Sequence, residues 1–367
     1  MPYIATGAPL TNCMLLTNKL EKYPSGGREM LCKLNHDLLA DIYGDRLVIL
    51  ELTKRPIDKL NLIIDSFKGH IDGINSETIA SAFQHINSKN INKIFVDGSN
   101  FGEIVKQVKI RLPAVQVYTF CHNVEFRFFY GSFRQNKSLH ALAVVIANYL
   151  AERKSVKFSD TVICLSERDS QLLKKTYGRK ASYVSPMAIQ DKLPLSIVYP
   201  SEQKYALFVG GNFYANKVGI TWFVKHVAPR VGIKICIVGK GFERFKDEIE
   251  LDGRVEVIGA VDSLAEWYLK SYFVIAPIFD GSGMKTKVAE ALMFGKKVIG
   301  TPEAFSGYEK FIDRIGRVCL SEDDFVEAIE TADEMVNTSF DKDLRKIYDE
   351  NYSYSAHRAR IQRIMYP

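Results

Sequence analysis

Several features that would assign this chain to a special class are absent from its sequence. Its six cysteines are scattered and form no Cys-x-x-Cys pair, so neither a zinc site nor a disulfide framework is indicated. It contains no run of about eighteen apolar residues, so no transmembrane helix is expected. Its first residues lack the basic and apolar regions of a signal peptide. Together these absences favour the cytoplasm.

The composition is that of an ordinary globular protein. Hydrophobic residues make up 47% of the sequence and charged residues 25%, which are common values for soluble domains. A chain of 367 residues is longer than one that folds around a single hydrophobic core, so two domains are predicted. The net charge of +6 does not indicate nucleic acid, and we predict no such partner. It suits anionic substrates or the anionic inner face of a membrane, and equally a mildly basic protein that binds neither.

The stretch from residue 273 to residue 301 has the order strand, glycine loop, helix, strand. Apolar runs at 273–278 and 296–301 predict two buried strands, and Gly281, Ser282 and Gly283 stand before the helix between them. This order implies a parallel sheet. The unpaired N–H groups and partial positive charge of the helix start therefore predict an anion site beside the glycines.

Charged side chains accompany that loop. Lys285 falls in the first predicted helical turn and Glu290 lies further along, so a cation and a carboxylate would suit a ligand with phosphate and sugar hydroxyl groups. The alternative is structural. Lys287 and Glu290 have the i, i+3 spacing of a weak surface ion pair, and Met284 belongs to a core-facing stripe. The local pattern leaves both interpretations open.

The N-terminal half alternates apolar runs with helical stretches, which predicts a doubly wound α/β domain. Strands are expected at 12–17, 46–52, 93–97, 114–120 and 161–165, and helices at 28–40, 76–89, 100–111, 138–154 and 167–177. Ligands of such sheets bind at the carboxyl ends of the strands.

Three polar clusters follow strands of this half, at Asp97–Asn100, Cys121–Glu125 and Ser166–Arg168, and a glycine pair follows the first strand. Gly26 and Gly27 precede the first helix, where their backbone would face a ligand unless they form a plain βα turn. The second cluster consists of His122, Asn123, Glu125 and Arg127. Histidine titrates near neutrality, so His122 is a candidate catalytic base. The alternative is that His122 and Asn123 only cap the next helix.

A proline-containing segment at 185–202 predicts the connection between domains. A second α/β alternation follows, with strands expected at 205–209, 233–238, 255–259 and 273–278. Glycines end these strands and would line one edge of a second sheet: Gly210, Gly211, Gly239, Gly259 and Gly281. Lys217 stands near the start of the helix after the first of these strands. Beyond residue 308 the chain is expected to be helical.

The motifs of the second half resemble the donor-binding domain of B-fold glycosyltransferases, especially the retaining family 4 and its relatives. The matching motifs are Phe208-Val-Gly-Gly, Asn216 with Trp222-Phe223, Val238-Gly-Lys-Gly, and above all the run from Gly281 to Gly300. A weaker likeness covers the first half, in Ser25-Gly-Gly and His122-Asn-x-Glu.

The resemblance implies an α/β fold with two Rossmann-like, doubly wound domains that face each other across a cleft. An acceptor-side domain would span 1–190 and a nucleotide-sugar-binding domain 191–345. A C-terminal helix at 346–367 would pack back on the first domain.

The resemblance also implies site residues. Glu290 would accept hydrogen bonds from ribose hydroxyls, and Lys285 and Lys217 would contact the diphosphate. The implied donor-binding set is Gly26, Gly27, Gly210, Gly211, Lys217, Gly239, Gly281, Ser282, Gly283, Met284, Lys285 and Glu290. The implied catalytic set is His122, Lys285 and Glu290, with His122 near the transferred sugar. Asn123, Glu125 and Arg127 would lie on the acceptor side.

Two positions depart from the family pattern. The family often has a glutamate where Ser282 stands and an arginine where Gly211 stands. Because the missing glutamate usually contacts the sugar, the identity of the donor sugar stays open.

The predicted function is transfer of a sugar from a nucleotide-diphosphate sugar, with UDP-sugars favoured, to a glycan or lipid-linked acceptor. Transfer would proceed with retention and without a metal or other cofactor, in cell-surface polysaccharide or glycoconjugate synthesis. The protein would be cytoplasmic, with attachment to the inner face of the membrane left open. The alternatives are a nucleotide-sugar epimerase of the same fold and a non-catalytic subunit that binds sugar nucleotides.

Overall fold

The computed structural model describes residues 11–22, 26–53, 67–135, 137–194, 204–251, 253–281 and 283–366. The chain divides into two compact units. The first comprises Met1–Pro186 together with His357–Pro367, and the second comprises Met187–Ala356. Each unit is built on one six-stranded sheet, and every strand pair within the two sheets is parallel.

The first unit alternates strands with helices along the chain. Its strands are β1 (Asn12–Asn18), β2 (Leu47–Leu52), β3 (Ile91–Asp97), β4 (Gln116–Cys121), β5 (Thr161–Cys164) and β6 (Tyr183–Val184). Its helices are α1 (Gly27–Tyr43), α2 (Ser76–Ser88), α3 (Gly102–Arg111), α4 (Glu125–Gln135), α5 (Leu139–Phe158) and α6 (Glu167–Tyr177). The sheet has the order β2-β1-β3-β4-β5-β6.

The second unit repeats this plan. Its strands are β7 (Tyr205–Val209), β8 (Lys234–Val238), β9 (Val255–Gly259), β10 (Phe273–Ala276), β11 (Val298–Gly300) and β12 (Gly316–Val318). Its helices are α7 (Tyr214–His226), α8 (Lys246–Ile249), α9 (Ala265–Lys270), α10 (Thr286–Met293), α11 (Ile312–Ile315), α12 (Glu322–Glu330), α13 (Ala332–Met335) and α14 (Lys342–Asn351). The last helix, α15 (Tyr354–Met365), enters the first unit at His357.

The central strands form because their side chains are apolar on both faces. β7 is buried at each of its five positions, and in β1 the run from Cys13 to Thr17 is buried throughout. A parallel sheet covered by helices on both faces requires such continuous apolar runs. This is why the strands of both halves were predictable from the sequence, and the predicted α/β class is confirmed.

In each sheet, successive strands are added first towards one edge and then towards the other, and the order reverses at one switch point. Loops that follow the two strands on either side of this point lie next to each other. In the second sheet, whose order is β12-β11-β10-β7-β8-β9, the change lies between β7 and β10. Counted from β7, this is the strand order of the Rossmann fold, in which ligands bind at that crevice. The loops at 210–213 and 277–285 follow these two strands. In the first sheet the change lies between β1 and β3, so Gly26 and the segment after Asp97 share its carboxyl edge.

One expectation of the sequence was wrong. The chain beyond residue 308 is not wholly helical, because β12 pairs with β11 at the edge of the second sheet. β12 has three residues, and none of them is fully buried, so it lacks the apolar run that marks the central strands. Among the described residues, no helix has the length and apolar character needed to cross a membrane.

Candidate functional site

Glycine backbones meet where the loops after β7 and β8 come together. The N–H of Gly210 donates to the carbonyl of Val238 at 3.0 Å, and the N–H of Gly239 donates to that of Gly259 at 2.7 Å. A Cβ added to Gly239 would lie 1.8 Å from the carbonyl oxygen of Gly210. Only glycine fits there. This steric restriction is sufficient to explain the glycine at this strand end, so the residue does not by itself indicate a nucleotide-binding motif.

The loop between β10 and α10 holds its backbone in conformations that favour glycine. Gly281 has φ +133° and Gly283 has φ +66°, in the region that other residues rarely adopt. The N–H of Gly281 donates to Asp280 Oδ1 at 2.7 Å. Ser282, the predicted point of departure from the family pattern, lies outside the described residues. Met284 is buried, as its place in the apolar stripe predicted.

Lys285 lies immediately before α10 rather than in its first turn. Its backbone is extended, and the helix begins at Thr286. Its Nζ donates to Glu303 Oε1 at 2.9 Å and to the carbonyl of Gly283 at 3.0 Å. Its own carbonyl accepts from the Tyr308 hydroxyl at 2.9 Å. The predicted diphosphate cation is therefore fixed beside the glycine loop and is paired with a carboxylate that follows β11.

Glu290 is a buried carboxylate on α10. It is 7% exposed, and its Oε2 accepts a hydrogen bond from the Tyr268 hydroxyl at 2.9 Å. Burial raises the pKa of Glu290, while the Tyr268 hydroxyl and the charges of Lys192 and Lys287 act in the opposite direction. A carboxylate held in this way can accept hydrogen bonds from ligand hydroxyl groups.

Lys287 and Glu290 do not form the surface ion pair that the local pattern allowed. Lys287 is only 6% exposed. Its Nζ donates to Asn216 Oδ1 at 3.0 Å and lies 4.1 Å from the centre of the Phe208 ring. Burial lowers its pKa to about 7, although the charge of Glu290 opposes this. Helix α10 is buried on all sides, so its spacing alone did not reveal which charges are internal.

Lys217 lies on α7, at the same edge of the second sheet. Its Nζ is 3.2 Å from the centre of the Phe245 ring. Phe245 belongs to the short 3-10 helix that follows Gly239 and Gly241. The carbonyl of Gly211 accepts from the Asn216 amide at 2.9 Å. Asn216 thus connects the Gly211 loop to Lys287 on α10. This edge combines cations, accessible backbone and one buried carboxylate, a set that suits an anion with hydroxyl groups.

In the first unit, α1 begins at Gly27 with Gly26 as its N-terminal cap. The N–H of Gly26 donates to Glu29 Oε2 at 3.4 Å. The next residue, Arg28, donates to Asn18 Oδ1 and to Asn100 Oδ1, each at 3.2 Å. Arg28 therefore joins the ends of β1 and β3 beside the two predicted glycines.

His122 is held by Asp97 at the ends of the neighbouring strands β4 and β3. The two side chains are 3% and 0% exposed, and His122 Nε2 lies 2.7 Å from Asp97 Oδ1. A carboxylate accepts, so Nε2 carries the proton. Burial alone would raise the pKa of Asp97, yet the charge and hydrogen bond of His122 hold it below its usual value. His122 Nδ1 is buried and has no hydrogen-bond partner among the described residues.

Further polar groups complete this cluster. The Asn35 amide donates to Asp97 Oδ1 at 2.7 Å, and the Thr17 hydroxyl donates to Asp97 Oδ2 at 3.3 Å. Cys32, Asp97 and His122 bring one potential metal-ligand atom each within 4.8 Å of one another. The contact between His122 and Asp97 has the geometry of a hydrogen bond, so the cluster orients the histidine ring.

The acceptor-side residues divide into buried and exposed positions. Glu125 is 2% exposed, and its Oε1 lies 3.8 Å from the Arg28 guanidinium. Asn123 is half-buried, and Arg127 is exposed on α4. The first N–H groups of α4, those of Glu125 and Phe126, donate to the carboxylate of Glu152 at 3.0 and 3.1 Å. Glu152 thus caps the helix, and the capping role considered for His122 is not what its contacts show.

Comparisons with known proteins give the fold and the enzyme class. Residues 203–335 match the family model described as Glycosyl transferases group 1. HepE of Anabaena, solved in complex with UDP, superposes with a TM-score of 0.66 at 12% identity, covering 97% of this chain and 99% of that one. The chain has the B-type glycosyltransferase fold, and its residues 203–335 match a group 1 glycosyltransferase domain. No curated protein sequence matches it.

Two further solved structures show the same fold as this glycosyltransferase. The lipopolysaccharide outer core galactosyltransferase WaaB superposes with a TM-score of 0.63 at 11% identity, covering 96% of this chain and 99% of that one. A glycosyltransferase from Rickettsia africae gives a TM-score of 0.62 at 12% identity, covering 96% and 97%. The family match lies wholly in the second unit, which contains Lys217, Lys285 and Glu290.

The structure adds residues to the site of this glycosyltransferase that the sequence did not single out. They are Tyr268, Lys287 and Glu303 in the second unit and Arg28, Asn35 and Glu152 in the first. Each of them contacts a predicted site residue, or contacts a residue that is itself hydrogen-bonded to a predicted site residue. These contacts join residues that are separated in the sequence. Arg28 alone carried a local signal, because it directly follows Gly26 and Gly27 at a helix start.

Proposed function

We propose that this glycosyltransferase moves a sugar from a nucleotide-diphosphate sugar, preferentially a UDP-sugar, to a hydroxyl group of a glycan or lipid-linked acceptor. The observation that carries the proposal is the arrangement around α10. A buried carboxylate, Glu290, and two lysines, Lys285 and Lys287, lie on or beside one helix that starts at a glycine loop. That loop lies at the switch point of a Rossmann-type sheet.

Each element of the arrangement has a role in donor binding. Glu290 accepts hydrogen bonds from the ribose hydroxyls. Lys285 contacts the diphosphate together with the N–H groups that begin α10, where the helix dipole favours an anion. Lys217 is a second diphosphate contact from α7. The backbone of the glycine loops at 210–211, 239 and 281–283 approaches the donor closely.

The proposed chemistry is a substitution at the anomeric carbon with retention. The bond between that carbon and the diphosphate oxygen breaks, and a bond to the acceptor oxygen forms on the same face. The departing diphosphate takes the acceptor proton. The cations stabilise the charge that builds on the leaving group, so we propose that no metal or other cofactor is required. His122, oriented by Asp97, acts beside the transferred sugar.

UDP-sugars are the first donors to test, since HepE was solved with UDP and also with UDP-glucose. WaaB is a galactosyltransferase of the lipopolysaccharide outer core. It supports cell-surface polysaccharide or glycoconjugate synthesis as the setting we propose here. In that setting the protein works in the cytoplasm or at the inner face of the membrane, with the first unit on the acceptor side and Asn123, Glu125 and Arg127 near the acceptor.

The experiment that tests this function is a thermal-shift screen with UDP-, GDP- and ADP-sugars, since a bound donor raises apparent stability. Product analysis with and without acceptor follows. We expect stabilisation by a UDP-sugar and its loss in Lys285→Ala and Glu290→Ala, with Lys234→Ala as a control at an exposed lysine on β8. Donor turnover that is unchanged in both variants would overturn the assignment. Epimerisation without acceptor would identify an epimerase, and binding without any turnover would identify a binding subunit.

A further inference from the structure

A chain of hydrogen-bonded side chains in the first unit connects Asp97 to α15. This Asp97–Arg360 network consists of Asp97, Asn35, His357, Ser185 and Arg360. Asn35 on α1, His357 on α15 and Ser185 after β6 are fully buried. Asn35 Oδ1 lies 2.8 Å from His357 Nε2, and the Ser185 hydroxyl lies 3.3 Å from His357 Nδ1. Buried polar groups are unfavourable unless they find hydrogen-bond partners, and here they find one another.

The direction of each hydrogen bond in the network follows from Asp97. The carboxylate accepts, so the Asn35 amide NH₂ points to Asp97, and Asn35 Oδ1 is left to accept from His357 Nε2. A neutral imidazole that donates at one nitrogen accepts at the other, so His357 Nδ1 accepts from the Ser185 hydroxyl. The Ser185 oxygen in turn accepts from Arg360 Nε at 3.2 Å. Within these five side chains, each donor therefore meets an acceptor.

The network ends on the oxygen atom that orients His122. Asn35 and His122 both donate to Asp97 Oδ1, each at 2.7 Å, while the Thr17 hydroxyl donates to Oδ2. Because Asn35 and His122 share one acceptor atom, a shift of the Asn35 amide changes the position of the atom that holds the histidine ring.

One aromatic ring packs against both histidines. Phe120 on β4 is fully buried. Its ring centre lies 5.5 Å from that of His122 and 5.8 Å from that of His357, edge to face in both cases. Protein interiors are close-packed, so a turn of the His357 ring displaces Phe120 and, with it, the packing of His122. The two histidines are thus connected by packing as well as by hydrogen bonds.

The network also includes the two segments at which the chain leaves and re-enters the first unit. The first segment of this unit ends at Pro186, and the second begins at His357. Ser185 directly precedes Pro186, and Arg360 donates to the Pro186 carbonyl at 3.1 Å. Both segments are therefore fixed, within the first unit, to the side chains that hold Asp97.

We propose that Asn35 and His357 are positioning residues for His122, acting through Asp97 Oδ1. They hold the histidine ring in the orientation that sugar transfer requires. The inference rests on the proposed function for the part of His122 in transfer. The orientation of the ring, in contrast, is a property of the first unit and can be measured without any substrate. A residue that only stabilised the fold would leave that orientation unchanged when it was replaced.

The test compares His357→Phe with His357→Gln. Phenylalanine keeps a ring beside Phe120 but donates no hydrogen bond, so Asn35 Oδ1 loses its donor and the amide can turn away from Asp97. Glutamine keeps a donor for Asn35. Asn35→Ala removes the donor to Asp97 itself, and it carries the test if His357→Phe does not fold.

The direct measurement is the ¹⁵N spectrum of histidine-labelled protein, recorded without substrate. A protonated and an unprotonated ring nitrogen resonate at different positions, so the spectrum reports the tautomer of each histidine. His122→Gln identifies the signals of His122 by their loss. In the native chain these signals should show a single tautomer with the proton on Nε2. In His357→Phe and Asn35→Ala the two signals should move towards each other, and in His357→Gln they should stay in place.

The second measurement is the transfer rate with a UDP-sugar. We expect kcat to fall about tenfold in His357→Phe, because a misplaced catalytic group slows the reaction. His357→Gln should recover most of that loss. UDP affinity should not change in either variant, since its proposed contacts lie in the second unit.

Thr119→Val is the matched control. Thr119 is fully buried on the same strand as His122, and its hydroxyl lies 2.6 Å from that of Ser159. Valine removes this buried hydrogen bond outside the network, so the variant should lose stability but keep the native His122 signals and transfer rate. Native His122 signals in folded His357→Phe would overturn the inference. The same signal change in Thr119→Val would overturn it as well.

The two measurements separate this inference from the proposed function. Changed His122 signals with an unchanged transfer rate would support the positioning by His357 and contradict only the catalytic part assigned to His122. A slower transfer with unchanged His122 signals would show that His357 acts by another route, which overturns the inference and leaves the proposed function standing.

Discussion

Lys285 Nζ and Glu303 Oε1 lie 2.9 Å apart at the edge of the second sheet, with side chains 13% and 14% exposed. The lysine comes from the loop before α10 and the glutamate from the loop after β11. The cation that we assign to the diphosphate is therefore paired with a carboxylate of the protein. Binding of a diphosphate to Lys285 has to displace or rearrange this pair.

The first prediction is that Glu303→Gln binds UDP about fivefold more tightly than the native chain. The glutamine keeps the size of the side chain but removes the competing charge, and a partly exposed ion pair has a free energy on the order of 1 kcal/mol. Isothermal titration calorimetry measures the dissociation constant. Glu256→Gln is the control. Glu256 on β9 pairs with Lys234 on β8 at 2.7 Å, in a half-exposed position, and neither residue is assigned to the site. Weaker binding by Glu303→Gln would mean that the glutamate positions Lys285 instead of competing with the ligand.

The second prediction concerns the hydroxyl that holds Glu290. Tyr268→Phe leaves a buried carboxylate oxygen without its donor, which costs on the order of 1–3 kcal/mol in the free energy of unfolding. UDP affinity should fall as well, since the carboxylate that meets the ribose is no longer fixed. Urea denaturation and calorimetry measure the two effects.

Tyr348→Phe provides the matched control for this substitution. The Tyr348 hydroxyl is buried in the same unit and donates to the carbonyl of Ile189 at 3.0 Å, which is not one of the predicted site residues. We expect a loss of stability and unchanged UDP affinity. If Tyr268→Phe behaved in the same way as Tyr348→Phe, Glu290 would have no part in binding the nucleotide.

The sequence predicted strands and glycine loops well because their causes are local. Strands buried on both faces need continuous apolar runs, and the residue after such a run in a parallel sheet falls at the ligand-binding edge. Gly281 and Lys285 could therefore be located from the sequence alone. Lys287 could not be, because α10 is surrounded on all sides and a helical period then carries no information about which charge is internal.

The partners of the predicted residues were not predictable for a different reason. Tyr268 meets Glu290, and Glu303 meets Lys285, across long stretches of chain, and no spacing rule encodes those contacts. Asp97 and His122 were each placed at strand ends by the sequence. Their contact depends on β3 and β4 being neighbours in the sheet, which only the strand order reveals.

The third prediction is that Asp97→Asn loses both stability and catalysis. Asp97 is fully buried and accepts hydrogen bonds from His122, Asn35 and Thr17. In Asp97→Asn the amide NH₂ replaces one of the two accepting oxygens, so it faces at least one of these donors without forming a hydrogen bond. We expect the free energy of unfolding to fall by about 2–4 kcal/mol. The transfer rate should fall at least about tenfold, because the histidine ring is no longer oriented. UDP affinity should not change, since its proposed contacts lie in the second unit.

The control for this variant is Asp160→Asn. Asp160 accepts from the N–H of Val117 at 2.8 Å in the same unit, but its side chain is 42% exposed. It should lose a little stability and no transfer activity. A native transfer rate in folded Asp97→Asn would remove His122 from the proposed catalytic set.

The fourth prediction is a pH dependence of stability that originates at His357. The ring is fully buried. Its Nε2 donates to Asn35 Oδ1 at 2.8 Å, and its Nδ1 lies 3.3 Å from the Ser185 hydroxyl. Burial, together with the charge of Arg360, lowers its pKa from 6.5 to about 3. The folded state therefore holds the neutral ring, whereas the unfolded chain takes up a proton as soon as the pH falls below 6.5.

The neutral His357 ring contributes fully to the free energy of unfolding above pH 6.5. As the pH falls from 6.5 towards 3, the unfolded chain binds a proton that the folded chain does not, and the free energy of unfolding decreases by an amount on the order of 4 kcal/mol. His357→Gln keeps a donor for Asn35 and does not titrate, so the difference in unfolding free energy between native and variant chains should shrink, and then reverse, across that interval. His140→Gln, at an exposed histidine of α5, should follow the native curve. Urea denaturation at a series of pH values measures all three proteins. A difference between native and His357→Gln that stays constant with pH would show that the pKa of His357 is the same in the folded and the unfolded chain.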